Sequence, residues 1–248
     1  MIEAFVVLLI GSILIVVLNK MPEKGIKVEK HKKAIDKFFE AFHKTPTKKI
    51  EDDNDNVDEH ASMQQAELSE KDKLLKEAKE LLKEDKLKEA EEKYIEVLKI
   101  DEHDPESYRG LGNICFIKKD YKDAEEIFEK LTKISPKDGS NYCNLGMCCY
   151  KKDEFEKARE NYEKALKIEK KPSYYKNLAI TLIKLKEYDK ALDNLLRSLD
   201  KNKKDKESFS LAISILDEIK DKKKQKKAAT FLAKVNTKDS TLKSYLNK

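Results

Sequence analysis

The stretch YKDAEEIFEKLTKISP at residues 121–136 decides the fold, because three other stretches of the chain repeat it. They are LKEAEEKYIEVLKIDE (87–102), FEKARENYEKALKIEK (155–170) and YDKALDNLLRSLDKNK (188–203). The fourth residue is always alanine: Ala90, Ala124, Ala158 and Ala191. A large side chain follows four residues later, at Tyr94, Phe128, Tyr162 and Leu195. A period of about 34 residues indicates an array of similar supersecondary units.

A second shared segment precedes three of these stretches: SYRGLGNICFIKKD (107–120), NYCNLGMCCYKKDE (141–154) and YYKNLAITLIKLKE (174–187). It places Leu111–Gly112, Leu145–Gly146 and Leu178–Ala179 at matching positions. The combined pattern resembles the tetratricopeptide repeat (TPR) family, which has Leu-Gly at positions 7–8, Ala at 20 and an aromatic residue at 24. The resemblance implies an all-α fold, in which helix-turn-helix units stack into a right-handed superhelical solenoid.

We predict about five units over residues 70–239, because a single unit cannot bury its apolar face alone. The end units are degenerate. Glu77–Ala78 replaces Leu-Gly in the first unit, and Gln225 replaces alanine in the fifth. The predicted bounds are about 71–104, 105–138, 139–171, 172–205 and 206–239, followed by a capping segment at 240–248.

Residues 1–19 are predicted to form a transmembrane anchor, since Ala4–Leu18 contains no charged residue. Eighteen residues of helix rise about 27 Å, close to the ~30 Å of a hydrocarbon core. A cleaved signal peptide would need a basic start and a small-residue cleavage site, and neither is present in this stretch. Six lysines between residues 20 and 33 predict that the N-terminus is outside and that the rest of the chain is cytoplasmic.

Residues 20–69 are predicted to form a charged, flexible linker. Residues 20–49 contain ten lysines and four acidic residues, whereas residues 50–69 contain seven acidic residues and no lysine or arginine. One exception is a short amphipathic helix predicted at 32–43, where Ile35, Phe38, Phe39 and Phe42 would share a face. This helix could lie on anionic lipid, dock on the repeat domain or bind a partner.

Composition favours a helical fold, and the residue patterns contain no catalytic constellation. Asp, Glu, Lys and Arg make up 41% of the 248 residues, which include only 6 Gly and 5 Pro. This favours helix and excludes collagen-like and disulfide-stapled chains. The four cysteines and four histidines lack metal-binding spacing, and no glycine-rich phosphate loop is present. We expect Cys115 and Cys149 to be core residues, and we expect no catalytic, metal or cofactor site.

The family resemblance implies a peptide-binding groove on the first helices, at positions 2, 5, 9, 12 and 13 of each unit. One subfamily clamps the C-terminal carboxylates of chaperones, and Ile180 breaks that clamp here. The remaining clamp positions hold Arg109, Asn113, Asn144 and Lys184. The full set of candidate groove residues is Lys79, Arg109, Asn113, Phe116, Asn144, Met147, Tyr150, Lys151, Lys176, Ile180 and Lys184.

These features predict a non-enzymatic scaffold, tethered to the membrane, that binds extended peptide segments of unidentified partner proteins. Two alternatives stay open. One is a lipid- or nucleic-acid-binding protein that acts through Lys-rich segments such as KDKKKQKK at 220–227, although no aromatic residue is interleaved there to stack a base. The other is an exported TPR factor in envelope assembly. Homo-oligomer formation also stays open.

Overall fold

The computed structural model describes residues 57–236 and 241–246. The predicted transmembrane anchor, the amphipathic segment at 32–43 and most of the linker lie outside these residues. Every regular element that the model describes is helical, which confirms the predicted all-α repeat fold. The elements are α1 (Val57–Lys83), α2 (Leu87–Ile100), α3 (Pro105–Ile117), α4 (Tyr121–Ile134), α5 (Gly139–Lys151), α6 (Phe155–Ile168), α7 (Pro172–Lys184), α8 (Tyr188–Lys201), α9 (Lys206–Ser214), a short 3₁₀ helix (Leu216–Glu218), α10 (Lys222–Val235) and α11 (Lys243–Leu246).

Successive helices pack on each other from α1 through α9, as expected for stacked helix pairs. Odd-numbered helices up to α9 are the first helices of their units, and α2, α4, α6, α8 and α10 are the second helices. The second helices of units one to four bury the alanine and the large residue of the repeat; in α4 these are Ala124 and Phe128. The buried residues of units three to five form one continuous core that reaches Leu242, just before α11.

The turn between the helices of a unit has the same backbone geometry in units one to four. Asp85, Lys119, Asp153 and Lys186 have positive φ angles of 59°, 65°, 60° and 60°. The next residue then donates a backbone hydrogen bond across the end of the first helix, as from Asp120 N to Cys115 O at 2.9 Å. This arrangement satisfies carbonyl groups that the helix end would otherwise leave without a partner.

In units two and three, a glycine of the first helix packs against an aromatic ring of the second helix. A Cβ atom added at Gly112 would lie 2.7 Å from Phe128 Cζ, and one added at Gly146 would lie 2.8 Å from Tyr162 Cε1. Unit four has Ala179 and Leu195 at the equivalent positions. Units two and three thus combine a glycine with an aromatic ring, and unit four combines an alanine with a leucine, whereas unit one has Ala78 and Tyr94 at these positions.

The structure corrects one predicted boundary. Helix α1 begins at Val57, so the linker boundary predicted at residue 69 falls inside a helix of 27 residues. The stretch from 57 to 69 contains no Gly or Pro and has acidic residues at 58 and 59, near the helix N-terminus. Both features favour continuation of the helix toward the N-terminus.

The fifth unit departs from the repeat geometry. Its first helix, α9, ends at Ser214, and the 3₁₀ helix Leu216–Glu218 follows. Gln225, which stands where the repeat has alanine, is buried, and its Nε2 donates to Leu216 O at 2.7 Å. Glutamine therefore fits at this position because it satisfies a carbonyl group in the irregular segment.

None of the helices that the structure describes is both long and apolar enough to cross a lipid bilayer.

Candidate peptide-binding surface

Local sequence signals fix the start of the first helices. Asp104 caps α3 through a hydrogen bond from Ser107 N to its Oδ1 at 2.7 Å, and Pro105 occupies the first turn. Asp138 caps α5 by accepting from Ser140 N at 2.9 Å. Both arrangements satisfy free N–H groups at a helix start. The two caps fix where α3 and α5 begin, and therefore which face of each helix carries the candidate groove residues.

Three of the predicted groove cations are held by carboxylates of the chain itself. Arg109 donates to Asp138 Oδ2 at 2.6 Å, and Lys79 Nζ lies 2.7 Å from Glu106 Oε1. Lys176 donates to Glu207 Oε2 at 2.8 Å. Each ion pair joins the first helix of one unit to the next unit, so these cations also tie the solenoid together.

The pair between Arg109 and Asp138 combines capping with charge. Burial raises the pKa of the Asp138 carboxyl, but its hydrogen bonds from Ser140 and the nearby Arg109 charge outweigh burial and hold the pKa below its usual value. The Lys176 pKa is raised, chiefly by its hydrogen bond to Glu207 and against the effect of burial. A ligand carboxylate that used Arg109 or Lys176 would have to compete with these internal partners.

Two other predicted cations have no such partner. Lys151 and Lys184 are exposed, and neither forms an ion pair with a residue that the structure describes. They are the last residues of α5 and α7, where a positive charge is favourable near the helix C-terminus. Ile117, the equivalent last residue of α3, is 54% exposed. We call Ile117, Lys151 and Lys184 the helix-end row.

Apolar side chains border this row. Phe116 and Tyr150 are half-buried, each making an edge-to-face contact with the first residue of the following helix. Their ring centroids lie 5.2 Å from Tyr121 and 5.4 Å from Phe155. These contacts hold the aromatic rings in place while leaving part of each ring accessible.

The remaining candidates are half-buried or exposed. Met147, Ile180 and Asn144 are half-buried, whereas Asn113 is exposed. The two Asn side chains form no hydrogen bond with the described part of the chain. The structure thus places the predicted residues on the first helices of units one to four, and it separates cations that have internal partners from cations that do not.

Among the described residues, Glu125, Cys149 and Glu154 form a group of potential metal ligands, and their ligand atoms lie within 4.8 Å of one another. The Lys152 ammonium binds both carboxylates, with 2.7 Å between Lys152 Nζ and Glu154 Oε1. Burial raises the pKa of the Cys149 thiol to about 12, and the thiol donates to Glu125 Oε1 at 3.5 Å. The Lys152 ammonium therefore neutralises the two carboxylates of this group, and the Cys149 thiol is a hydrogen-bond donor within it.

The sequence pattern did not reveal this cluster or the internal partners of the groove cations. The sequence does contain a signal for two partners, because an aspartate that caps the next first helix lies 29 residues after each cation. Asp138 follows Arg109 in this way, and Asp205, whose Oδ2 lies 3.3 Å from Lys176 Nζ, follows Lys176. The four cysteines are buried, which confirms the expected core positions of Cys115 and Cys149.

A tetratricopeptide repeat model matches residues 106–171 and 138–204. Residues 106–204 are therefore tetratricopeptide repeats. The matching model indicates no enzyme family.

Solved TPR structures share the fold at low sequence identity. YrrB, a TPR protein with an unusual peptide-binding site, is 18% identical, with a TM-score of 0.55 over 71% of this chain and 91% of its own. MamA from Desulfovibrio magneticus RS-1 is 17% identical, with a TM-score of 0.58 over 72% and 98%. Pseudomonas aeruginosa PilF is 16% identical, with a TM-score of 0.58 over 73% and 90%. No curated protein sequence matches the chain.

Proposed function

We propose that this TPR protein is a non-enzymatic scaffold that binds an extended acidic and apolar peptide segment along the helix-end row. A TPR solenoid is an interaction fold, and the comparisons indicate no enzyme family. The observation that supports the peptide's chemistry is the contrast between Lys151 and Lys184, which have no internal carboxylate, and Arg109 and Lys176, which have one.

The spacing of the row suggests a motif. Neighbouring packed helices lie about 10 Å apart, which an extended peptide covers in about three residues. Two acidic residues separated by two others would therefore reach Lys151 and Lys184 together. An apolar residue beside them could contact Ile117 or the accessible parts of Phe116 and Tyr150.

A displayed library of random peptides, selected on the full chain in a nonionic detergent, tests this proposal. The test variant combines Ile117→Ser with Lys151→Glu. The control combines Ile168→Ser with Lys164→Glu, which makes the same changes at exposed positions of α6. We expect wild type and control to enrich peptides with two acidic residues three positions apart, and the test variant to lose them. Equal enrichment by both variants would contradict the proposed surface.

The same peptides distinguish this mode from a clamp for C-terminal carboxylates. Because the proposed contacts use side-chain carboxylates, amidation of the peptide C-terminus should leave the affinity unchanged. A loss of tenfold or more on amidation would instead indicate recognition of the chain end and would make the helix-end row the wrong site.

We further propose that residues 1–19 tether the scaffold to a membrane, with the repeats in the cytoplasm. The supporting observations are the uncharged stretch Ala4–Leu18 and the lysines that follow it. Lys206 is exposed at the start of α9, and Lys206→Cys supplies a reactive thiol far from the native buried cysteines in sequence. We expect an impermeant maleimide to label it only after the cells are opened. Labelling in intact cells would reverse the proposed topology and favour the envelope alternative.

A further inference from the structure

Helix α10 differs from the other second helices in charge. It carries six lysines and no acidic residue between Lys222 and Val235. The second helices of the four preceding units, α2, α4, α6 and α8, have net charges of −1, −1, +1 and 0. The positive charge of the repeat domain is therefore concentrated on its last unit.

The lysines of α10 do not all have the same role. Gln225, Ala228, Ala229 and Leu232 form the buried face of the helix. Lys224 is half-buried, and its Nζ lies 3.0 Å from Asp193 Oδ2 and 3.3 Å from Asp189 Oδ1, so it joins α10 to α8. The remaining exposed lysines, whose ammonium groups form no ion pair or hydrogen bond with a described residue, are Lys223, Lys226, Lys227 and Lys234. We call these four residues the α10 basic face.

Helix stability does not account for the α10 basic face. Lys223 lies three and four residues before Lys226 and Lys227, spacings at which like charges on a helix repel. Lys223 also lies in the first turn, where a positive charge opposes the helix dipole. The Asp221 cap, which accepts from Lys223 N at 2.9 Å, offsets part of this repulsion. The folded chain offers these lysines no described partner in return.

We propose that the α10 basic face docks on the anionic headgroups of a lipid bilayer. Its four lysines lie within twelve residues of one helix, and the eleven steps from Lys223 to Lys234 give a length of about 16 Å that suits an extended, flat array of negative charge. Near an anionic leaflet each lysine strengthens binding about fivefold. The large aromatic side chain of α10, Phe231, is half-buried, so the face lacks an exposed ring for stacking a nucleic-acid base.

This proposal rests on the proposed function only through the membrane tether, which would keep α10 near lipid. The two can fail separately. Flotation of the full chain with phosphatidylcholine vesicles tests the tether, because neutral lipid does not attract lysines. The additional effect of phosphatidylserine tests the α10 basic face.

Energy transfer to the vesicle surface provides the readout. Thr230 is exposed between Lys227 and Lys234, and Thr230→Cys carries a donor fluorophore. Burial raises the pKa of the native thiols, to about 11 for Cys143 and about 12 for the others, so native-state labelling is confined to the introduced cysteine. The acceptor is a headgroup-labelled lipid in vesicles of phosphatidylcholine, with or without 30% phosphatidylserine.

The test variant changes all four lysines of the α10 basic face to glutamine. The control variant makes the same substitution at four exposed lysines of α4 and α6: Lys122, Lys133, Lys164 and Lys167. Both variants lose four positive charges, so they differ only in where the charges were. Circular dichroism checks that both retain helix, and removal of the repulsion within α10 should leave the test variant at least as stable as wild type.

We expect transfer to rise at least threefold when phosphatidylserine is included, and to return to the neutral-lipid level in the test variant or in 0.5 M salt. The control variant should retain the increase. Unchanged transfer in the test variant, or an equal loss in both variants, would overturn the proposal. It would also be overturned if the wild-type chain bound a 20-base-pair duplex more tightly than the vesicles and the test variant lost that binding, because the occupant would then be nucleic acid.

Discussion

Because Gly112 packs against Phe128, we predict that a larger residue at position 112 destabilises the fold and that a smaller residue at position 128 restores part of the stability. Gly112→Ala would add a Cβ atom 2.7 Å from Phe128 Cζ and 2.8 Å from Cε1, well inside van der Waals contact. Phe128 is 1% exposed and belongs to the close contact between α3 and α4, so its ring has little room to move. Unit four tolerates Ala179 at the equivalent position, where the facing residue is the smaller Leu195.

The magnitude follows from two opposing effects. Overpacking of a filled core costs about 1–3 kcal/mol, whereas alanine is better than glycine in a helix by up to about 1 kcal/mol. We expect Gly112→Ala to lower the free energy of unfolding by about 1–2 kcal/mol. Phe128→Leu alone should cost about 1–1.5 kcal/mol through the space it leaves. Together they should cost less than either change alone, with a coupling energy of at least about 1 kcal/mol.

The assay is urea unfolding of the full chain in a nonionic detergent, followed by circular dichroism at 222 nm. Because stacked repeats can unfold in parts, hydrogen exchange of peptides from α3 and α4 measures the local free energy in parallel. The reciprocal pair Ala179→Gly and Leu195→Phe serves as control, since it moves the unit-two combination into unit four. It should show coupling of the same sign.

Two results would refute the size-matching argument. One is a Gly112→Ala variant that is as stable as wild type, which would mean that the helices separate at no cost. The other is a double variant whose destabilisation equals the sum of the single changes, which would mean that the two residues do not sense each other.

Three further predictions concern stability and reactivity. Lys119→Gly should raise the free energy of unfolding by about 0.5–1 kcal/mol, since Lys119 has φ of 65° and glycine avoids the strain of that region. A lower free energy of unfolding for this variant, measured by urea denaturation, would contradict this. Gln225→Ala should lower the same free energy by about 1–3 kcal/mol, because the Leu216 carbonyl loses its buried hydrogen bond, and Gln225→Glu should not rescue it, since a carboxylate cannot donate. The four native cysteines should stay unreactive toward an aromatic disulfide at pH 8, because thiols with pKa values of about 11–12 remain protonated. Addition of urea should make all four reactive. Rapid labelling of the folded chain would argue against their burial.

The packing inside each unit follows directly from the sequence. Gly112 and Phe128 occupy fixed positions in a period of about 34 residues, and the structure brings them into contact. The structure of the first and last units was less predictable from the sequence. Helix α1 begins at Val57, within the predicted linker, and Gln225, which departs from the repeat pattern, donates a hydrogen bond to Leu216 O.

The candidate binding surface could also be predicted only in part from the sequence. The sequence by itself determined which residues stand on the first helices, because helix periodicity and the repeat length fix the face of Arg109, Lys151 and Lys184. Only the tertiary structure decided which of these charges are available. The partner of Arg109 is Asp138, 29 residues further along the chain, and its distance depends on how two units stack. Short-range pattern specifies helices and their apolar faces, whereas the state of a surface charge depends on neighbours that stacking alone brings within a few ångströms.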